Sequence, residues 1–193
     1  MKRSMSWRTV DIVVTAAIAV AFGVVIWGWN ALWAAATPLF VAVPPAQNIL
    51  YGTWLIPGVV AGLIVQKPGA AFFAELVAAT VSLVLGSQWG LDAALSGVFQ
   101  GAGAELAFAI FRYRRWDLAA ALLAAALSAV GAWLHDVPLF YAALPLADQL
   151  LIGAFMLISA LVIAGFGSWW LTRALVQTGV LAQFPSGRTQ QRV

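Results

Sequence analysis

Three tryptophans, Trp27, Trp29 and Trp33, crowd around Asn30 where a long apolar run gives out, and the next apolar run opens with Gln47, Asn48 and Tyr51. No charge of either sign lies between Trp27 and Tyr51. Aromatic faces and carboxamides gathered without charge suit a flat, polar small molecule, the rings by stacking and the amides by hydrogen bonding. The same residues also fit an aromatic belt at a membrane surface. Two carboxylates, Glu75 and Glu105, stand inside otherwise apolar stretches. An acid at mid-membrane costs at least ~2.5–3.5 kcal/mol, so it lines a cavity or finds a partner. The spacing Glu75, Ser82, Gly86, Trp89 keeps one helical face and extends the candidate site to Trp89. Glu105 shares its face with Gly101 and Ala94, whereas Gln100 and Ser96 lie on another, so Gln100 and Glu105 are not expected to point at one small ligand.

Catalysis has little to stand on. The lone histidine, His135, is beside Asp136 in a connection and reads as a surface-loop residue with no second ligand or nucleophile. There is no H-E-x-x-H, G-x-S-x-G or P-loop, so no enzyme is expected, and any ATPase must be another chain. The sequence has no cysteine, which excludes disulfides and thiolate chemistry, and no metal or resident cofactor is expected.

The elements that must position these residues follow from composition. Hydrophobic residues make up 63% of the 193 and charged residues 9%, with mean hydropathy +0.94. A soluble domain of this length needs far more charge on its surface. At about 20 apolar residues per crossing, the chain reads as an all-α integral membrane protein, a bundle of six transmembrane helices. These run over about 10–35, 47–65, 70–89, 93–111, 118–134 and 147–171. The domain reading is a cytoplasmic N-terminus over 1–9, a substrate-binding membrane domain over 10–176 and a polar, loose cytoplasmic tail over 177–193. The first run is longer than a signal-peptide h-region and reads as a span, despite the basic residues before it and Ala34-Ala35-Ala36 after it.

The ten Lys and Arg fix the expected orientation. Lys2, Arg3 and Arg8, then Lys67, then Arg112, Arg114 and Arg115, then Arg173, Arg188 and Arg192 all fall on one side of the six-span arrangement. The opposite connections carry Asp92, Asp136 and Asp148 and no base. By the positive-inside rule both termini are cytoplasmic, and the Trp27–Tyr51 cluster is at the outer face. The basic balance is thus topogenic, and nucleic acid is excluded as a partner. At 1.5 Å per residue, Glu105 lies ~19 Å below the outer end of its helix and Glu75 ~21 Å below Trp89. A ligand touching the aromatics and both acids must be long or deeply bound.

Ligand chemistry follows from the charges. Anionic substrates want Arg, Lys or helix N-termini, and no base lies within the spans. Acids, amides and tryptophans favour a cationic or amino-bearing aromatic, whose ring a Trp face attracts and whose amine a carboxylate or amide reads. In the first span, Ala17, Ala21 and Gly28 form a small-residue stripe almost opposite Asn30. Such stripes let helices approach closely, and they also arise by chance in an alanine-rich chain.

A small six-span chain with no nucleotide site and with Ala17-x-x-x-Ala21 in its first span resembles the substrate-binding S components of energy-coupling factor (ECF) transporters. It is most similar to the YkoE family, assigned to thiamine or its hydroxymethylpyrimidine precursor. The resemblance rests on VDIVVTAAIAVAFGVVIWGWN at 10–30, on QNILYGTWLIPGVVAGLI at 47–64 and on the Glu75 and Glu105 helices. It implies a multi-pass protein of the bacterial cytoplasmic membrane that captures the vitamin from outside. It further implies that Ala17 and Ala21 dock on a transmembrane coupling (T) component driven by a pair of ATPases, with the S component toppling to release substrate. The implied vitamin site comprises Asn30, Trp33, Gln47, Asn48, Tyr51, Glu75, Trp89 and Glu105. Nickel/cobalt S components resemble proteins with an N-terminal histidine ligand, and this chain begins MKRSMSW. Two other readings stay open: a stand-alone proton-coupled carrier for a cationic or aromatic molecule using Glu75 and Glu105 as relays, and an assembly protein whose tryptophans are anchors.

Overall fold

In the computed structural model, which describes residues 5–188, the chain forms helices and no strand among the described residues. Lys2, Arg3 and Arg192, which contribute to the orientation reading, lie outside them. The first helix, α1 (Thr9–Ala36), buries Asp11, Thr15, Ala19, Gly23, Ile26, Asn30 and Trp33. The recurrence every three or four residues is a single helical stripe. Around it the surface is apolar and exposed, with Val13, Val20, Val24 and Val25 outward, as a lipid-facing helix requires. Ala17 and Ala21 lie on this exposed face.

The start of α1 is pinned to the connection before the third helix. Asp11, fully buried, accepts from Arg8 Nη2 at 2.7 Å and pairs with Lys67 Nζ at 2.6 Å. Lys67 also donates to the Ser6 carbonyl, and Trp7 Nε1 donates to the Pro68 carbonyl at 2.9 Å.

The second run is two helices in series. Pro44–Leu55 is a 3₁₀ helix, and α2 (Ile56–Val65) continues it as an α-helix. At three residues per turn, Asn48, Tyr51 and Trp54 form one i, i+3 ridge. Such a long 3₁₀ stretch needs outside support. Gly52 N–H donates to Ser159 Oγ at 2.8 Å, and that hydroxyl donates to the Ile49 carbonyl at 2.5 Å. A side chain at Gly52 would run into the Ser159 backbone, so glycine is required at this crossing. Pro57 opens α2 in the first turn, where its missing N–H costs nothing.

The third helix, α3 (Ala70–Val84), is shorter than expected. Gly86, at φ +90°, turns the chain out of the helix, so Trp89 lies in the connection and not on the helix. Helix α4 (Asp92–Ile110) returns, and α5 (Leu118–Asp136) packs along it. Asp117 starts α5 by accepting the Ala120 N–H at 3.0 Å. A π-helical turn, Val137–Tyr141, extends α5. Then α6 (Leu146–Ser159), a π-helical stretch (Ala160–Phe166) and α7 (Gly167–Gln177) form one long rod.

The described part of the tail, up to residue 188, corrects the expectation of a loose end. Leu181 and Phe184 are buried against Val60, Ile64, Val65 and Ala70, and Ser186 Oγ donates to the Ile64 carbonyl at 3.1 Å before the short α8 (Pro185–Arg188). Five helical rods among the described residues are long and apolar enough to cross a membrane: Thr9–Phe40, Pro44–Val65, Asp92–Ile110, Leu118–Tyr141 and Leu146–Gln177. Ala70–Val84 is apolar but shorter.

Candidate functional site

Asn30 is the hub of a buried polar network. Its Nδ2 donates to Ser82 Oγ at 3.2 Å and Ser87 Oγ at 3.0 Å, and its Oδ1 accepts Trp54 Nε1 at 2.9 Å. One carboxamide thus ties α1 to the 3₁₀ helix, to α3 and to the α3–α4 connection. Trp54, held by this bond, stands 4.8 Å from Trp33, 4.9 Å from Tyr51 and 6.2 Å from Trp89, centroid to centroid. Trp89 meets Phe140 edge-on at 5.8 Å. The rings are mostly tilted or T-shaped, the arrangement that aromatic quadrupoles prefer.

Around these rings lies a concave cavity, the kind of place where small molecules bind. Trp33, Tyr51, Trp54, Trp89, Phe140 and Tyr141 supply its aromatic wall, and Glu75, Asp92 and Asp136 bring carboxylates to it. No Lys or Arg is among its lining residues.

The first carboxylate belongs to α3. Glu75 is 1% exposed, and its Oε2 accepts the Gly58 N–H at 2.7 Å. Gly58 is in the first turn of α2, where N–H groups have no partner within the helix, and the carboxylate supplies one. The other two carboxylates belong to a cluster built from the ends of α4 and α5. Asp136 Oδ2 accepts the Tyr51 hydroxyl at 2.6 Å, and Tyr51 Oη accepts from Gln100 Nε2 at 3.1 Å. Gln100 Nε2 also donates to Ser96 Oγ at 2.5 Å. His135 Nδ1 is 2.8 Å from Asp136 Oδ1, and its Nε2 is 3.3 Å from Asp92 Oδ1. His135 is therefore not the surface-loop residue read from the sequence. It is 4% exposed, because α5 runs to Asp136 and carries it inside the bundle.

Of the residues assigned to the site from the sequence, Asn30, Trp33, Tyr51, Glu75 and Trp89 line the cavity. Gln47, Asn48 and Glu105 do not. Gln47 Nε2 donates to the Trp33 carbonyl at 2.9 Å and to Thr37 Oγ1 at 3.0 Å, serving the end of α1. Asn48 is buried and donates from Nδ2 to the Pro45 carbonyl at 3.0 Å. Glu105 is drawn to the start of α3. Its oxygens accept the N–H groups of Gly69 at 2.6 Å, Ala71 at 3.1 Å and Phe72 at 3.2 Å, and the Tyr113 hydroxyl at 2.9 Å. A helix N-terminus attracts an anion, and Glu105 answers that attraction away from the cavity. Burial and then the Glu105 carboxylate push the Tyr113 phenol up to about 12, so it stays a donor at any physiological pH. The separation of Gln100 from Glu105, expected from their helical faces, holds: only Gln100 reaches the cavity.

Sequence reasoning missed Trp54, Gln100, Asp92 and Asp136 as lining residues. Asp92 and Asp136 served only to count charges on the connections. Their approach depends on how two helix ends meet, and no local spacing encodes it. Trp54, three residues after Tyr51, was within reach of a 3₁₀ reading of the same stretch.

Comparison with known proteins gives a consistent picture. Residues 10–131 match a family model described as "ABC-type cobalt transport system, permease component". The chain is 32% identical over 184 residues, 95% of its length and 92% of the relative's, to the Bacillus subtilis (strain 168) protein named "Putative HMP/thiamine permease protein YkoE". A solved structure described as "Crystal structure of an S-component of ECF transporter" superposes with a TM-score of 0.92 at 31% identity, over 97% of this chain and 94% of that one.

Proposed function

The chain belongs to the YkoE-type S components of ECF transporters, and from that membership we propose that it captures thiamine or its hydroxymethylpyrimidine precursor from outside the cell. As such it is a multi-pass protein of the bacterial cytoplasmic membrane and a transport subunit rather than an enzyme. In this reading it delivers the ligand through an ATP-driven module made of a T component and ATPase subunits. The observation that carries the ligand class is the cavity itself, six aromatic rings with three carboxylates and no base. Trp faces attract a cationic ring, with up to ~2 kcal/mol when desolvated. Carboxylates and the Gln100 amide accept from, or donate to, an aminopyrimidine edge. The cobalt in the family model's description is a poorer match to such a wall, which suits a planar organic molecule.

The proposed arrangement has six crossings with both termini cytoplasmic, Ala70–Val84 being the sixth and shortest. It places the described bases Arg8, Lys67, Arg112, Arg114, Arg115 and Arg173 at one side. Ala17 and Ala21, exposed on the outer face of α1, are the proposed contact with the T component, where small residues permit close helix approach. The proton-coupled alternative is weakened at one of its two acids, since Glu105 is committed to the start of α3.

Titration of the purified protein with thiamine and, separately, with hydroxymethylpyrimidine tests the reading. Quenching of tryptophan fluorescence at sub-micromolar ligand is the expected result. No response to either compound overturns it.

A further inference from the structure

Asp92 and Asp136 come from different helices, yet one imidazole faces both. His135 Nδ1 is within hydrogen-bonding distance of Asp136, while Nε2, buried and without a hydrogen-bond partner, is 3.3 Å from Asp92 Oδ1. The His135 side chain is 2% exposed and stands behind the two carboxylates, which themselves line the cavity. Tyr51 donates to Asp136 from the aromatic wall, so the cluster is joined to the cage.

This cluster is at a different depth from Glu75. Gly101 lies against the Glu75 side chain, and it is nine residues along α4 from Asp92, or ~14 Å at 1.5 Å per residue. The cavity therefore has an acidic group at each end of an aromatic shaft. Neither end offers a Lys or Arg to neutralise an anion.

Resting on the vitamin-capture reading above, we propose that Asp92 and Asp136, held together by His135, form a specificity pole that accepts a cationic or N–H/O–H donor end of the ligand and rejects the same ligand when that end is phosphorylated. Asp92 and Asp136 are the accepting groups. His135 is a positioning residue: its two ring nitrogens face the two carboxylates and fix where their oxygens point. A phosphate brought to this end meets two carboxylates at close range, and like charges repel. Its oxygens find no Arg or Lys to pair with.

The test uses the full chain in lipid nanodiscs, titrated with thiamine, hydroxymethylpyrimidine and thiamine monophosphate. The wild type is expected to bind thiamine at least ~100-fold more tightly than its monophosphate, about two tenfold steps. Asp92→Asn, nearly isosteric, is expected to narrow that ratio at least tenfold. His135→Gln, which keeps one N–H toward Asp136, should retain most of the discrimination. His135→Leu should lose at least tenfold in thiamine affinity. Equal affinity of the wild type for thiamine and its monophosphate, a measurement that needs no variant, overturns the pole while leaving vitamin capture standing. So does a ratio unchanged in Asp92→Asn, and equal behaviour of the two His135 variants removes His135 from the pole. Failure of the wild type to bind any of the three compounds overturns both readings.

Discussion

Asn30 uses both its donor and its acceptor capacity on protein groups, so its role in the cavity is to hold other residues in place. Its loss leaves the Trp54 indole N–H and the Ser82 hydroxyl without that partner in a buried setting, while Ser87 Oγ keeps the Trp89 N–H. Each such group costs roughly 1–3 kcal/mol when unsatisfied. Asn30→Ala is therefore expected to lower the thermal midpoint in detergent and to free Trp54, with a loss of ligand affinity as the secondary effect. Glu75 behaves in the opposite way. One oxygen is occupied by the Gly58 N–H, and a glutamine carbonyl can accept that same bond. Glu75→Gln should leave the thermal midpoint nearly unchanged while weakening a cationic ligand ~10–100-fold, the worth of a charged over a neutral hydrogen bond. An equal loss of stability and affinity would show that the carboxylate serves α2 and not the ligand.

Helix ends explain why apparently similar acids have different roles. The N-termini of α2 and α3 each take a carboxylate, from Glu75 and Glu105 respectively. Of the two acids, only Glu75 lines the cavity. Glu105→Ala strips an acceptor from three backbone N–H groups and from Tyr113. A loss of about 1–3 kcal/mol is expected in denaturation, with ligand affinity unchanged within about threefold. A larger affinity loss would tie Glu105 to the site. The 3₁₀ helix Pro44–Leu55 and the π-helical stretch Ala160–Phe166 belong to the same accounting. The 3₁₀ helix is tied to Ser159, the last residue of α6 before the π-helical stretch, through Gly52 and Ile49. That geometry turns Tyr51 and Trp54 together toward the cavity.

At the scale of the whole molecule, a buried ion pair locks the start of α1 to the connection before α3. There Lys67 and Arg8 hold the buried Asp11. Breaking a buried pair by removing one partner typically costs about 3–5 kcal/mol, so Lys67→Ala should sharply reduce the yield of folded protein, and Asp11→Asn in the same background should restore part of it. Because the chain has no cysteine, single cysteines report the orientation cleanly. In intact cells Ala143→Cys should react with an impermeant maleimide, whereas Arg115→Cys should react only after the membrane is opened. Reaction at both sites from outside would overturn the six-crossing arrangement. Composition was sufficient to determine a helical membrane bundle and roughly where its long apolar rods run, because apolar run length is a local property that the bilayer reads directly. The pairing of Asn30 with Trp54, the withdrawal of Glu105 to a helix end, the burial of His135 and the arrival of Asp92 and Asp136 at the cavity were decided by tertiary structure alone. Each depends on which helix ends meet and which backbone groups are left unsatisfied there, quantities that arise only when separate helices pack.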